Sequence, residues 1–170
     1  MDNLNNLANL DDYAGFLNSR NHSETCKYYD IPFFNSQINF NQYNLSILNL
    51  NIRSYFKHCD EFEGFLQNLN TSFDILILTE TWLNLNNSNL LKLFGYNIYN
   101  LCRNNKNGGG VSILIKDSIK STSASKFNLI NNDIETIGVE LNIDNNVINI
   151  LGVYRPPTGN KNIFIETLNN

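Results

Sequence analysis

The sequence predicts an α/β (α+β) domain built on a mixed sheet, and three observations carry that prediction. Strand, helix and strand follow one another directly between Asn44 and Leu78. Two apolar segments, "YNIYNL" and "VSILIK", flank a glycine-rich loop. A second pair, "ETIGVEL" and "VINILGVY", is rich in β-branched residues and brackets "NIDNN", which has turn chemistry.

Taken in order, residues 1–43 mix short apolar patches with Asn, Ser and Asp, and hold neither a period of two nor one of 3.6. They are expected as a weakly ordered leader. Within it "CKYYDIPFFNS" is aromatic-rich and suits a short hairpin or helix, with Asp30 and Pro32 marking a turn. The domain proper is expected over 44–170.

"NLSILNL" reads as its first strand. "CDEFEGFLQNLN" reads as a helix, with Phe62, Phe65, Leu66 and Leu69 at i, i+3, i+4 and i+7, Asp60 as N-cap, and Glu61 and Glu63 in the first turn. "DILIL" is a strand apolar on both faces. This βαβ unit requires parallel strands joined by a right-handed crossover. Next come a helix in "NSNLLKLF", a turn at Gly95, the two hairpins, and a final helix in "KNIFIETLNN" after "RPPTG". The coarse order is β-α-β-α-β-β-β-β-α, without internal repeats.

Composition narrows the function classes. The 170 residues and 42% hydrophobic content suit one domain with its own core. A formal charge of -4 gives no net pull toward nucleic acid. Cys26, Cys59 and Cys102 are odd in number and unpaired in spacing, which argues against a disulfide framework or a zinc knuckle and for an intracellular setting, nuclear or cytoplasmic. No apolar run approaches a membrane helix, and "MDNLNNLANLDD" lacks the features of a signal peptide, so no membrane partner and no secretion are expected. Asparagine fills 34 of the 170 positions, spread through strands and loops alike, which reads as a coding bias.

In parallel units, ligands gather beyond the carboxyl ends of the strands. Asn51 lies just past the first strand and Glu80 just past the second, an amide oxygen and a carboxylate of the kind that suits Mg²⁺. Tyr154 and Arg155 leave the end of another strand, and Arg103 stands at the mouth of the glycine loop. Each also has a plain reading. Taken alone, Glu80 reads more readily as a solvated strand-end carboxylate than as a ligand, and Asn51 more readily still as one asparagine among many, with Tyr154 as a core-edge aromatic and "NGGGV" as a tight turn. His58 shows no carboxylate partner.

The segments "LSILNLNIRS", "FDILILTETWL", "LCRNNKNGGGVSILIKDSI", "ETIGVEL" and "INILGVYRPP", in this order, resemble the N-terminal half of the endonuclease/exonuclease/phosphatase superfamily. They are most similar to the apurinic-type endonuclease domain of non-LTR retrotransposons. The resemblance implies part of a DNase I-like four-layer α/β sandwich with its C-terminal half missing. It implies that Asn51 and Tyr154 are catalytic residues at the scissile phosphate, that Glu80 binds Mg²⁺ or Mn²⁺, and that Arg103 and Arg155 contact DNA or phosphate. DNA is the implied partner, with a reverse transcriptase domain in a full-length parent.

Two departures qualify what the resemblance implies. Arg53 stands where repair enzymes of the superfamily carry an acidic or amide residue. The later Asp-x-Asn and Ser-Asp-His motifs have no counterpart, and neither His22 nor His58 occupies the place of the family's catalytic His. The expectation is therefore a truncated endonuclease domain, inactive as this chain, that self-associates through an exposed sheet face. A non-catalytic interaction module or pseudogene product, and a phosphatase or phosphodiesterase of the same superfamily, stay open as alternatives.

Overall fold

Four apolar residues in a row, Ile75 to Leu78, demand burial on both faces, and that places their strand inside a three-layer stack. The computed structural model describes residues 28–38, 45–104 and 108–169. Its elements are α1 (Ile31–Gln37), β1 (Ile47–Asn51), α2 (Tyr55–Gln67), β2 (Ile75–Thr79), β3 (Tyr96–Leu101), β4 (Val111–Lys116), β5 (Lys120–Ser123), β6 (Leu129–Ile130), β7 (Glu135–Ile143), β8 (Asn146–Tyr154) and α3 (Lys161–Asn169). Single 3-10 turns occupy Ser88–Leu90 and Ser125–Phe127.

The first sheet runs β1-β2-β4-β3. β1 and β2 are parallel, with Ile47 opposite Ile75 and Asn51 opposite Thr79, whereas β4 is antiparallel to both β2 and β3. The βαβ unit and the first hairpin are thus present, and the sheet is mixed. In the second sheet β7 is flanked by β8 on one side and by β5 and β6 on the other, all antiparallel.

Strand parity builds the core. Leu76, Leu78 and Leu114 face α2 and pack with Phe62, Tyr55, Ile52, Phe73, Leu83 and Leu91. Ile75, Val111, Ile113 and Ile115 face the other way and meet Ile137, Val139 and Leu141 of β7. The succession helix, sheet, sheet makes three consecutive layers, and truncating any one of these fully buried side chains to Ala costs about 2–5 kcal/mol. At Gly152 of β8 a Cβ would lie 2.9 Å from Val111 Cγ1, so the second sheet approaches the first closely at that point.

The β7–β8 hairpin closes in two residues, Asp144 and Asn145, both left-handed (φ 50° and 64°), as a type I′ turn requires. Asp and Asn are the non-glycine residues that tolerate this region best.

Four elements depart from the sequence expectation. α2 begins at Tyr55, more than a turn before Asp60, so Asp60 is not the N-cap. Ser54 precedes the helix without a side-chain cap, because the backbone of the next loop does the capping: Ser54 N–H donates to Glu80 O at 2.8 Å and Tyr55 N–H to Thr81 O at 2.9 Å. "NSNLLKLF" is not a helix beyond its 3-10 turn. Leu91 is buried and Leu93 half-buried while Leu90 and Phe94 are exposed, an extended alternation in place of a helical stripe. β5 and β6 are short strands that pair on one side only among the described residues, too polar or too brief to show a period.

Of the 1–43 leader, the described part, 28–38, is helical from Ile31. Asp30 caps α1 through Phe33 N–H at 2.8 Å, with Pro32 in the first turn. Phe34 sits 6.3 Å from Phe73, centroid to centroid. Residues 1–27 and 39–44 lie outside the described residues.

On the outer side, β8 carries exposed Val147 and Leu151, and β7 is its ladder partner among the described residues. α3 exposes Ile163, Ile165 and Leu168. No described helix is long and apolar enough to cross a membrane.

Candidate functional site

Because β1 and β2 run in parallel, both carboxyl ends open onto the same edge of the sheet, and the loops that leave them are wound the wrong way for L residues. Arg53 (φ 47°) and Ser54 (φ 88°) follow β1, and Glu80 (φ 53°) and Trp82 (φ 56°) follow β2. A non-glycine residue held in this region costs about 1–3 kcal/mol and survives only where its surroundings over-determine it. Here backbone bonds do so: Ile52 N–H donates to Thr79 O, Thr81 N–H to Gly110 O at 3.2 Å and Trp82 N–H to Gly109 O at 2.9 Å, beside the two helix-entry bonds above.

This winding brings three of the expected residues together. Asn51 Nδ2 donates to Glu80 Oε1 at 2.9 Å, and the Tyr154 hydroxyl donates to the same oxygen at 3.0 Å. Among the described residues Glu80 accepts no other hydrogen bond and has no ion-pair partner, which leaves Oε2 open. Burial pushes the Tyr154 phenol up to about 12, reinforced by its bond to Glu80 and by the negative charges of Glu80 and Glu135, with Arg103 opposing. Tyr154 is therefore a protonated donor throughout the neutral range.

The two arginines go elsewhere. Arg103 pairs with Glu135 at the start of β7, where its Nε and Nη2 both meet Oε1. Arg155 is exposed, and its Nη1 donates to Gly159 O at 3.0 Å, bracing the "RPPTG" turn. His58 does have a carboxylate partner, Glu61 Oε2 at 2.6 Å, one helical turn on. That pair lines a cleft of about 240 Å³ that Asn51, Phe62 and Phe65 also border.

Glu135 escaped the sequence reading. Its Oε2 accepts Gly110 N–H at 2.6 Å, and it is the only charged side chain buried among the described residues. The signal was parity: Glu135 falls in phase with Ile137, Val139 and Leu141, a carboxylate on the apolar face of its strand.

No group of three or more His, Cys, Asp or Glu forms a ready-made metal cluster among the described residues. The donor set at the sheet edge is leaner: one open carboxylate oxygen of Glu80, plus the Asn51 Oδ1 left over when Nδ2 turns to Glu80. Hard cations that retain most of their water, Mg²⁺ above all, fit such a set.

The sequence model described as the Endonuclease/Exonuclease/phosphatase family matches residues 38–164. No curated protein matches the chain. Among solved structures, the fold is similar to that of an AP endonuclease from Leishmania major, with a TM-score of 0.54 and 15% identity over 93% of this chain and 55% of that one. A 3′ phosphatase from Neisseria bound to a product DNA hairpin overlaps with a TM-score of 0.41 and 14% identity, over 63% of this chain and 40% of that one. The chain thus spans little more than half the length of the Leishmania enzyme, and at such identities the likeness concerns the fold alone.

Proposed function

Since the chain belongs to the endonuclease/exonuclease/phosphatase family, we propose that it carries the cation-and-phosphate half of a DNA-nicking phosphodiesterase site and is inactive on its own. The observation that supports this most is the convergence of Asn51 and Tyr154 on one oxygen of Glu80, which leaves the other oxygen open toward the sheet edge.

In this reading Glu80, with Asn51 Oδ1, holds Mg²⁺ or Mn²⁺. Such an ion, when bound, neutralises the charge that develops on the phosphoryl oxygens during hydrolysis. Asn51 fixes the orientation of the carboxylate, and Tyr154, protonated, presents a hydroxyl at the place where a phosphate beside the scissile bond would lie. Arg155, at the exposed exit of β8, needs only to leave Gly159 to meet a backbone phosphate. Arg103 contributes through Glu135 instead of contacting DNA.

Hydrolysis also needs a base for the attacking water and support for the leaving oxygen. The described residues that meet at Glu80, Asn51 and Tyr154, include no histidine: His58 bonds Glu61 on α2 and makes no hydrogen bond to this trio, and His22 lies outside the described residues. A missing general base alone lowers the rate by about 10²–10⁴-fold. "TETWL" and "GVYRPP" favour a retrotransposon origin over a repair enzyme or a small-molecule phosphatase, with a reverse transcriptase domain in the parent.

The test pairs two assays on the chain and on Glu80→Ala. Mg²⁺ is titrated against the emission of Trp82, the only tryptophan and two residues from Glu80, and supercoiled plasmid is assayed for nicking. The expected result is a Glu80-dependent fluorescence change at millimolar Mg²⁺ without nicking. Absence of any response would favour a non-catalytic interaction module. Robust nicking that Glu80→Ala abolishes would overturn the claim of inactivity.

A further inference from the structure

A buried carboxylate is costly, and Glu135 is fully buried, so its retention calls for a use. It does not meet the open edge where Asn51 and Glu80 lie. Its two oxygens are divided between Arg103 and the Gly110 N–H. Gly109 (φ 69°) presses so closely on the pair that a Cβ would stand 2.5 Å from both Arg103 Nε and Glu135 Oε1. The Glu135–Arg103 pair is thus the floor on which the glycine loop rests.

The other side of the loop faces the strand end that carries Glu80. Gly109 O and Gly110 O accept the N–H groups of Trp82 and Thr81, and a Cβ on Gly110 would stand 2.7 Å from the buried Thr81 hydroxyl. Glu80, left-handed, is the residue immediately before this clamped pair. An apolar pair in place of Glu135 and Arg103 would fill the space, but it would leave the Gly110 N–H unpaired and the directions of the two carbonyls unset.

We infer that Glu135, together with Arg103, is a positioning residue: through the glycine loop it holds residues 80–82 in the winding that aims the Glu80 carboxylate at Asn51 and Tyr154. Its consequence for cation binding rests on the function proposed above, whereas its consequence for the backbone does not.

The experiment uses the full chain and the variants Glu135→Gln, Arg103→Lys and Gly109→Ala. Leu141→Ala serves as a control that loosens the core along the same strand. Amide hydrogen exchange is read at Thr81 and Trp82 against Leu76 to Leu78 of β2, and Mn²⁺ affinity is read by quenching of Trp82. Glu135→Gln and Gly109→Ala are expected to speed exchange at Thr81 and Trp82 about tenfold beyond any change in β2, the effect of one lost charge-assisted hydrogen bond. They weaken Mn²⁺ binding by a similar factor. Arg103→Lys, which keeps the charge, gives a smaller effect, and Leu141→Ala raises exchange in both segments together.

Exchange that rises no more at Thr81 and Trp82 than in β2 would overturn the inference. Should Glu135→Gln fail to fold, Gly109→Ala decides it, and unchanged amides there overturn it equally. If the parent chain binds no Mn²⁺, the cation site falls while the exchange data still decide whether Glu135 positions Glu80.

Discussion

Glu135 and Tyr154 stand opposite each other on one rung of the β7–β8 ladder, and that rung reaches the Glu80 loop twice. Directly opposed residues of an antiparallel pair point to the same face. Tyr154 touches Glu80 itself, and Glu135 touches the loop that braces it.

Tyr154→Phe removes one of the two donors on Glu80 Oε1. The expected loss is about 0.5–1.5 kcal/mol of stability in denaturant unfolding, with the fold otherwise intact. Because the folded phenol is raised to about 12, its contribution is fully present below about pH 10 and is lost as the pH climbs toward 12. The gap between variant and parent should close over that interval. A spectrophotometric titration should show one high-pH tyrosine fewer in the variant.

Glu80→Asn tests whether the strained winding serves the carboxylate. Asn adopts the left-handed region more readily than Glu, which offsets part of the loss of the Asn51 and Tyr154 bonds to Oε1, so the variant should be destabilised by no more than about 1 kcal/mol. At the same time the Mg²⁺ response of Trp82 should vanish. A variant destabilised by more than about 1 kcal/mol would mean that the side chain, and not the site, justifies the backbone conformation.

Asp74 anchors the opposite end of the sheet, remote from this chemistry. Burial raises its carboxyl, but the Ser46 hydroxyl and N–H, at 2.7 and 2.8 Å, and Lys116 outweigh that and hold it below its ordinary value. Its contribution is therefore complete above the ordinary carboxylate range and is lost as the pH falls through the depressed value. Asp74→Asn should cost about 1–3 kcal/mol at pH 7, and the difference should shrink below about pH 4 in unfolding curves taken across that range.

The outer face of β8 predicts self-association. Val147 and Leu151, 57% and 42% exposed, lie on one face of a nine-residue strand that β7 pairs along a single edge among the described residues. Size-exclusion chromatography over a concentration series should show growing assemblies. The double variant Val147→Lys, Leu151→Lys should return a monomer. A parent that stays monomeric at every concentration would refute this.

What the sequence disclosed follows the strength of local patterning. β3 and β4 match "YNIYNL" and "VSILIK" residue for residue, because runs rich in aromatic and β-branched residues, each preceded by glycine, leave a sharp strand signature. The start of α2 was hidden because its cap is backbone from a loop 26 residues away, which leaves no mark on Ser54. Asn51, Glu80 and Tyr154 were legible as strand ends, and their meeting on a single oxygen was not, since it depends on two left-handed residues that no propensity announces. Arg103 was legible as a residue but not as half of an ion pair, whose other half was concealed in an apolar strand.

The abundant asparagines divide into two kinds with different fates as the molecule ages. Asn131, whose Oδ1 accepts two backbone N–H groups, and Asn128, whose Oδ1 accepts Gly138 N–H, would still accept after hydrolysis of the amide to a carboxylate. Asn51 donates, and its amide nitrogen lies 2.9 Å from Glu80 Oε1. Deamidation there would set two carboxylates face to face and replace the hydrogen bond with repulsion. A single hydrolysed amide among 34 would thus remove the bond that orients the Glu80 carboxylate.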